Sequence, residues 1–189
     1  METTTTKTAG TWRYEDLFDL PEDKRYEIID GELFEMPGPN TDHALTVMNL
    51  IMALLPTVSA LGARLLTAPL DVFFEGANLV QPDLLVLLPD HFHLMSKRGI
   101  EGAPDLLVEI LSPSNPKHDR VRKRVLYARG GVREYWIVSP EAATIELLVL
   151  EGDVYRRHLL AGGDDSVTST VLPGLAFPAS VASASPVLD

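Results

Sequence analysis

Apolar residues fall into short runs divided by turn signals, and their period changes along the chain. The first ten residues are Thr-rich, lack apolar periodicity and read as a disordered leader. A short helix is predicted from Thr11 to Asp19, ended by Leu20-Pro21. From Arg25 to Met36, Tyr-Glu-Ile-Ile and Glu-Leu-Phe-Glu flank Asp30-Gly31, a strong tight-hairpin signal. After the loop Pro37-Gly38-Pro39-Asn40, a helix is predicted over 42–62, capped by Thr41 or Asp42 and ended at Gly62. Leu45, Met48, Met52, Leu55 and Val58 recur at helical spacing, its other faces are also fairly apolar, and the helix is expected to be buried against a sheet.

Two strands follow, near 64–74 and 84–88; the continuous run Leu84 to Leu88 suits a central strand covered on both faces. Residues 89–103 read as an irregular connection, and a strand is predicted over 105–111. Ser112-Pro113-Ser114-Asn115-Pro116 breaks the chain before a helix over about 117–129, stopped by Gly130-Gly131. Arg133–Val138, Thr144–Leu150 and Val154–Leu160 predict an antiparallel meander, and the end from Ala179 to Asp189 reads as a flexible tail. With no repeat and no long linker, a single domain is expected over 11–178.

Two carboxylates interrupt this pattern. Asp83 opens its strand after a proline, and Glu109 sits among leucines on the strand face shared by Asp105, Leu107 and Leu111. A buried carboxylate needs a partner, a proton or a metal. The separation of Asp83 and Glu109 suits neighbouring strands, where both can converge on one ion. Hard cations prefer oxygen ligands, so Mg²⁺ or Mn²⁺ fits, with the carbonyl of Ile110 as a further ligand. Such an ion polarises a phosphoryl oxygen and activates water. A lysine to position that water is wanted as well. Leu111 stands on the same face two residues after Glu109, so Lys123 is the substitute. Asp119, Lys123 and Tyr127 form one stripe of the predicted helix.

The chain has 189 residues, 46% of them hydrophobic, and no cysteine. Disulfides and thiol catalysis are thereby excluded, and a reducing cytoplasm is the expected compartment. No secretory h-region and no uninterrupted apolar run of membrane-spanning length stand out, so no membrane partner is expected. The formal net charge of −11 argues against a protein that coats DNA without regard to sequence. Lys117, Arg120, Arg122, Lys123, Arg124, Arg129 and Arg133 nevertheless crowd one window and can form a local cationic face, with Lys117, Arg120 and Arg124 turned outward to a DNA backbone.

The ordered set Tyr26-Glu27-Ile28-Ile29-Asp30-Gly31-Glu32-Leu33, His43, Pro82-Asp83, Pro104-Asp105-Leu106-Leu107-Val108-Glu109-Ile110-Leu111-Ser112-Pro113-Ser114, then Asp119, Lys123, Tyr127 and Gly131-Val132-Arg133-Glu134-Tyr135-Trp136-Ile137-Val138 resembles the Uma family. That family is filed among restriction endonucleases, in the PD-(D/E)XK nuclease superfamily. The resemblance spans roughly residues 12–160. It implies an α/β (α+β) restriction-endonuclease-like fold, a central mixed sheet flanked by helices with an N-terminal hairpin. It implies a Mg²⁺-dependent endodeoxyribonuclease with Asp83 and Glu109 as its acids and Lys123 in place of the lysine absent at position 111. The upstream acid that many relatives carry corresponds to Glu27 or Glu32, which share a hairpin face. His43, at a helix start, can hydrogen-bond a ligand or a carboxylate. A homodimer is expected, because cutting both strands of a duplex needs two sites. The alternative is a module that keeps the fold without cleavage, which Leu111 and the acidic charge favour.

Overall fold

A computed structural model describes residues 8–111 and 118–183, with the backbone alone for 118–120. The hairpin forms where its turn chemistry demands. Strand β1 (Arg25–Ile29) pairs antiparallel with β2 (Glu32–Met36), placing Glu27 opposite Phe34 and Ile29 opposite Glu32. Asp30 (φ 51°) and Gly31 (φ 73°) both adopt the left-handed region, as a two-residue hairpin turn of this hand requires. The segment before it is a 3₁₀ turn at Tyr14–Asp19 rather than a helix from Thr11, and Trp12 is buried beside Ile28 and Leu79.

Helix α1 (Thr41–Ala60) is capped by Asn40, whose side chain accepts the backbone N–H of His43 at 2.8 Å. The cap thus lies one residue before the expected Thr41 or Asp42. The helix is buried on one side only. Thr46, Leu50, Leu54 and Val58 face the core, while Leu45, Met48, Met52 and Leu55 are 37–61% exposed. The helix is apolar on two opposite sides, so periodicity alone cannot say which side the sheet takes. By length and composition α1 could also cross a membrane, but its inner side packs into the protein.

The segment 64–74 forms two strands in different sheets, because Pro69 offers no N–H to a ladder. Strand β3 (Arg64–Thr67) pairs with β6 (Leu84–Leu87), whereas β4 (Val72–Phe74) pairs with β5 (Asn78–Val80). Between 89 and 103 lie a 3₁₀ turn at Pro89–Leu94 and the short β7 (Ile100–Glu101), parallel to β4. Strand β8 (Leu106–Ile110) runs antiparallel to β6 and parallel to β9 (Glu134–Ser139). Strands β10 (Thr144–Glu151) and β11 (Val154–Gly162) complete the expected meander. The predicted helix over 117–129 is a π-helical turn at His118–Lys123 running into α2 (Arg124–Gly130), ended by left-handed Gly131 (φ 88°). A Cβ on Gly130 would meet the Phe74 ring at 2.5 Å, so only glycine allows this approach.

The fold is α+β with mixed sheets. The six-stranded sheet has the order β11-β10-β9-β8-β6-β3, and the five-stranded sheet β2-β1-β5-β4-β7. Helix α1 covers one face of the larger sheet, over Leu84, Val86, Leu106 and Val108. Leu85, Leu87 and Leu107 point the other way, towards Leu126 and Tyr127 of α2 and towards Ile29, Val72 and Val80 of the smaller sheet. The leucine run at 84–87 is unbroken because both faces are buried. A two-stranded ladder of β12 (Ser166–Val167) and β13 (Phe177–Pro178) precedes a turn at Ala179–Ala182 that packs on α1. There Asn49 Nδ2 donates to the carbonyl of Ser183 at 3.1 Å, so the packed chain continues beyond position 178.

Candidate active site

The register of β6 and β8 settles how the two strand acids relate. Leu84 lies opposite Val108 and Leu85 opposite Leu107, so one further step sets Asp83 opposite Glu109. Strand alternation turns Glu109 towards the α2 side, with Leu107, whereas Asp83 lies just outside β6. Asp83 Oδ2 accepts the backbone N–H of Ile110 at 2.7 Å, and His43 Nε2 lies 3.0 Å from Asp83 Oδ1. His43 reaches this carboxylate because the Asn40 cap fixes the first turn of α1 beside it. Its position serves an acid of the site.

Glu109 is 3% exposed, and its Oε1 accepts both the Lys123 ammonium at 2.9 Å and the Tyr127 hydroxyl at 2.6 Å. The same ammonium lies 2.8 Å from Glu27 Oε1, which also accepts the backbone N–H of Gln81 at 2.8 Å. Lys123 therefore ties β1 of the smaller sheet to β8 of the larger one, and it is fully buried. The two hairpin acids are placed differently. Glu27 is in the cluster, whereas Glu32 is half-exposed and pairs with Arg122 at 2.7 Å. Leu111 packs partly buried in the apolar layer, and the ammonium beside Glu109 comes from Lys123. Burial, then the nearby Glu109 and Glu27 carboxylates, push the Tyr127 hydroxyl well above its ordinary range, so it keeps its proton and donates.

Two carboxylates (Glu27 and Glu109) thus share one buried ammonium, and Asp83 is held beside them by the N–H of Ile110 and by His43. Among the described residues no three His, Asp or Glu side chains converge as a ready metal cage. Magnesium does not require one, since it uses one or two carboxylates and retains waters. The donor set of Asp83 and Glu109 therefore fits the ion.

The cationic window is largely spoken for. Arg122 pairs with Glu32, Arg129 with Asp30 at 2.7 Å and Arg133 with Asp105 at 3.1 Å. Arg124 is exposed, and one of its amino groups donates to the carbonyl of Tyr155 at 2.8 Å. Lys117 and the side chains of Asp119 and Arg120 lie outside the described residues. Gln81 escaped sequence reasoning, although it directly precedes Pro82-Asp83. Its N–H holds Glu27, and its side-chain amide donates to Asp71 at 2.9 Å. Tyr127 was visible only as a member of a stripe.

A family model described as "Putative restriction endonuclease" (Uma2) matches residues 14–182. The chain belongs to the Uma2 family. Membership places it among nucleases. The solved structure of a "putative nuclease belonging to DUF820" from Anabaena variabilis is similar, with a TM-score of 0.73 at 19% identity. The match covers 89% of this chain and 95% of that one. At that identity the likeness speaks for the fold, which is the expected restriction-endonuclease-like one. No curated protein matches the chain. Within this Uma2 fold the cluster lies at the carboxyl end of β8, where α/β sheets commonly bind ligands.

Proposed function

We propose that this Uma2 protein is a metal-dependent endonuclease that hydrolyses DNA phosphodiester bonds at the Asp83–Glu109–Lys123 cluster. The observation that carries the reading is one buried ammonium shared by Glu27 and Glu109, with Asp83 opposite Glu109 across the ladder. Asp83 and Glu109, with the carbonyl of Ile110, would hold Mg²⁺ or Mn²⁺. When bound, the ion supplies Lewis-acid polarisation of the phosphoryl oxygen and eases deprotonation of water.

The protein's own groups do the positioning. Lys123 orients the attacking water and offsets charge that builds on the phosphoryl oxygens. Glu27 holds that ammonium in place, Tyr127 fixes the carboxylate of Glu109, and His43 with the Ile110 N–H fixes Asp83. Arg124 is exposed and can meet a phosphate. The ion pairs of Arg122 and Arg129 are exposed, hold weakly, and can exchange an acid for a phosphate.

The test is incubation of plasmid with the purified protein and Mn²⁺, beside Asp83→Ala and Glu109→Ala. Nicked or linear plasmid from the wild type alone supports the reading. Equal cleavage by the variants refutes it. A second reading, a nuclease fold that binds without cutting, is favoured by the engagement of Lys123 with two carboxylates. It is distinguished by the absence of Mn²⁺ binding that either substitution removes.

A further inference from the structure

Helix α1 is apolar on two opposite sides, and the structure covers only one. Thr46, Leu50, Leu54 and Val58 are buried, while Leu45, Met48, Met52 and Leu55 are 37%, 53%, 61% and 48% exposed. At 100° per residue this outer stripe lies diametrically opposite the inner one. A helix that is hydrophobic all round is normally covered all round.

The order of the stripe suits a second copy of the same helix. Leu45, Met48, Met52 and Leu55 read the same in both directions about position 50. The symmetry extends to exposed Thr41 and Ser59. An isologous contact requires a self-complementary patch, in which each residue meets its counterpart in reversed order. Two antiparallel α1 helices would set Met48 against Met52 and Leu45 against Leu55, with Thr41 and Ser59 hydroxyls meeting at the ends. Charge points the same way. The chain carries a net −11, yet Asp42 is the one acid in α1, which has no lysine or arginine. Two acidic copies can approach along this stripe without opposing carboxylates. An acidic protein whose outer helix lacks cationic residues is poorly suited to an anionic lipid surface.

We propose that the outer face of α1 is a homodimer interface, built as an antiparallel α1–α1 pair around the Met48–Met52 step. The helix is about 30 Å long, and one helix face is smaller than the roughly 800 Å² per partner of a standard interface. The dimer is therefore a weak, transient one. None of the stripe residues is among the partners of the acidic cluster, so the interface stands independently of the catalytic reading. If both hold, His43, which touches Asp83 from the first turn of α1, links the interface to each of the two sites.

The absence of cysteine permits a clean test. Met48→Cys and Met52→Cys proteins are mixed and oxidised, with Val154→Cys, exposed on β11, as control. The mixed disulfide between positions 48 and 52 should form at least about tenfold faster than the control dimer, because the interface raises the effective thiol concentration. In sedimentation, the wild type should dimerise as its concentration rises. Met48→Glu combined with Met52→Glu should remain monomeric, with the thermal midpoint of the dilute wild type. Equal cross-linking rates, a wild type monomeric at the highest soluble concentration, a dimer that survives the double substitution, or uptake onto neutral lipid vesicles in place of dimerisation would each overturn the proposal. None of these readouts requires nuclease activity.

Discussion

Asp105, just before β8, and Glu109, near its end, are both buried carboxylates on the same face of one segment, yet their surroundings differ. Asp105 accepts the backbone N–H of Leu88 at 2.8 Å and is flanked by His91 at 2.9 Å and by Arg133, both reaching in from partly exposed positions. Beside it, Glu134 is held by the Trp136 indole at 2.6 Å, the Ser169 hydroxyl at 2.7 Å and the Thr170 N–H at 2.7 Å. Glu134 is anchored by neutral donors, which tie β9 to the segment around 169–172. The Glu109 end is built otherwise. Two carboxylates share one ammonium there. At one end each acid has its own set of donors, and at the other two carboxylates share one ammonium that joins the two sheets. Burial of an acid therefore does not mark a site by itself; what sets this end apart is the sharing of one cation by two acids.

The largest effect that would break this contrast is expected at Lys123. Lys123→Met leaves Glu27 and Glu109 facing each other without their cation and should cost about 3–5 kcal/mol in urea unfolding at pH 7. A loss below about 1 kcal/mol would mean that the ammonium does not join the two sheets. Next comes Glu134→Ala, which strands the Trp136 and Thr170 donors and should cost about 1–3 kcal/mol. It should leave Mn²⁺ affinity unchanged; a loss of affinity would blur the distinction between the two ends. Glu109→Gln should do the reverse, abolishing cleavage while shifting stability by under about 1 kcal/mol, since it relieves one of two like charges around a single cation.

The smallest effect concerns Asp71, just outside the cluster beside Gln81. Burial raises its carboxyl above the ordinary range, against the lowering by the Gln81 hydrogen bond. A raised folded-state value means that the protonated form favours the fold, and that this contribution fades as pH rises through the folded value. Asp71→Asn should accordingly melt higher than the wild type at pH 7 and together with it near pH 3. Coincident melting at both pH values would remove the burial argument.

Much of this was legible from residue order. The Asp30-Gly31 turn, the meander and the Asp83–Glu109 pairing all follow from local rules, since turn chemistry and strand alternation act within a few residues. That Lys123 reaches Glu109 was foreseeable because a strand acid with no lysine two residues on needs a cation from elsewhere. Other features depend on contacts that no spacing encodes. Glu27 and Glu32 share a hairpin face, and only the approach of α2 brings Lys123 to one and Arg122 to the other. Spacing left the covered side of α1 open because both sides are apolar. The cationic window was overrated because Asp30, Glu32 and Asp105, distant in sequence, reach its arginines.

The most direct measurement is calorimetric titration of Mn²⁺ into wild type, Asp83→Ala, Glu109→Ala and Glu134→Gln. The account predicts binding to the wild type and to Glu134→Gln, and its loss in Asp83→Ala and Glu109→Ala while both remain folded. Unchanged binding in those two variants, or no binding to the folded wild type, would contradict it.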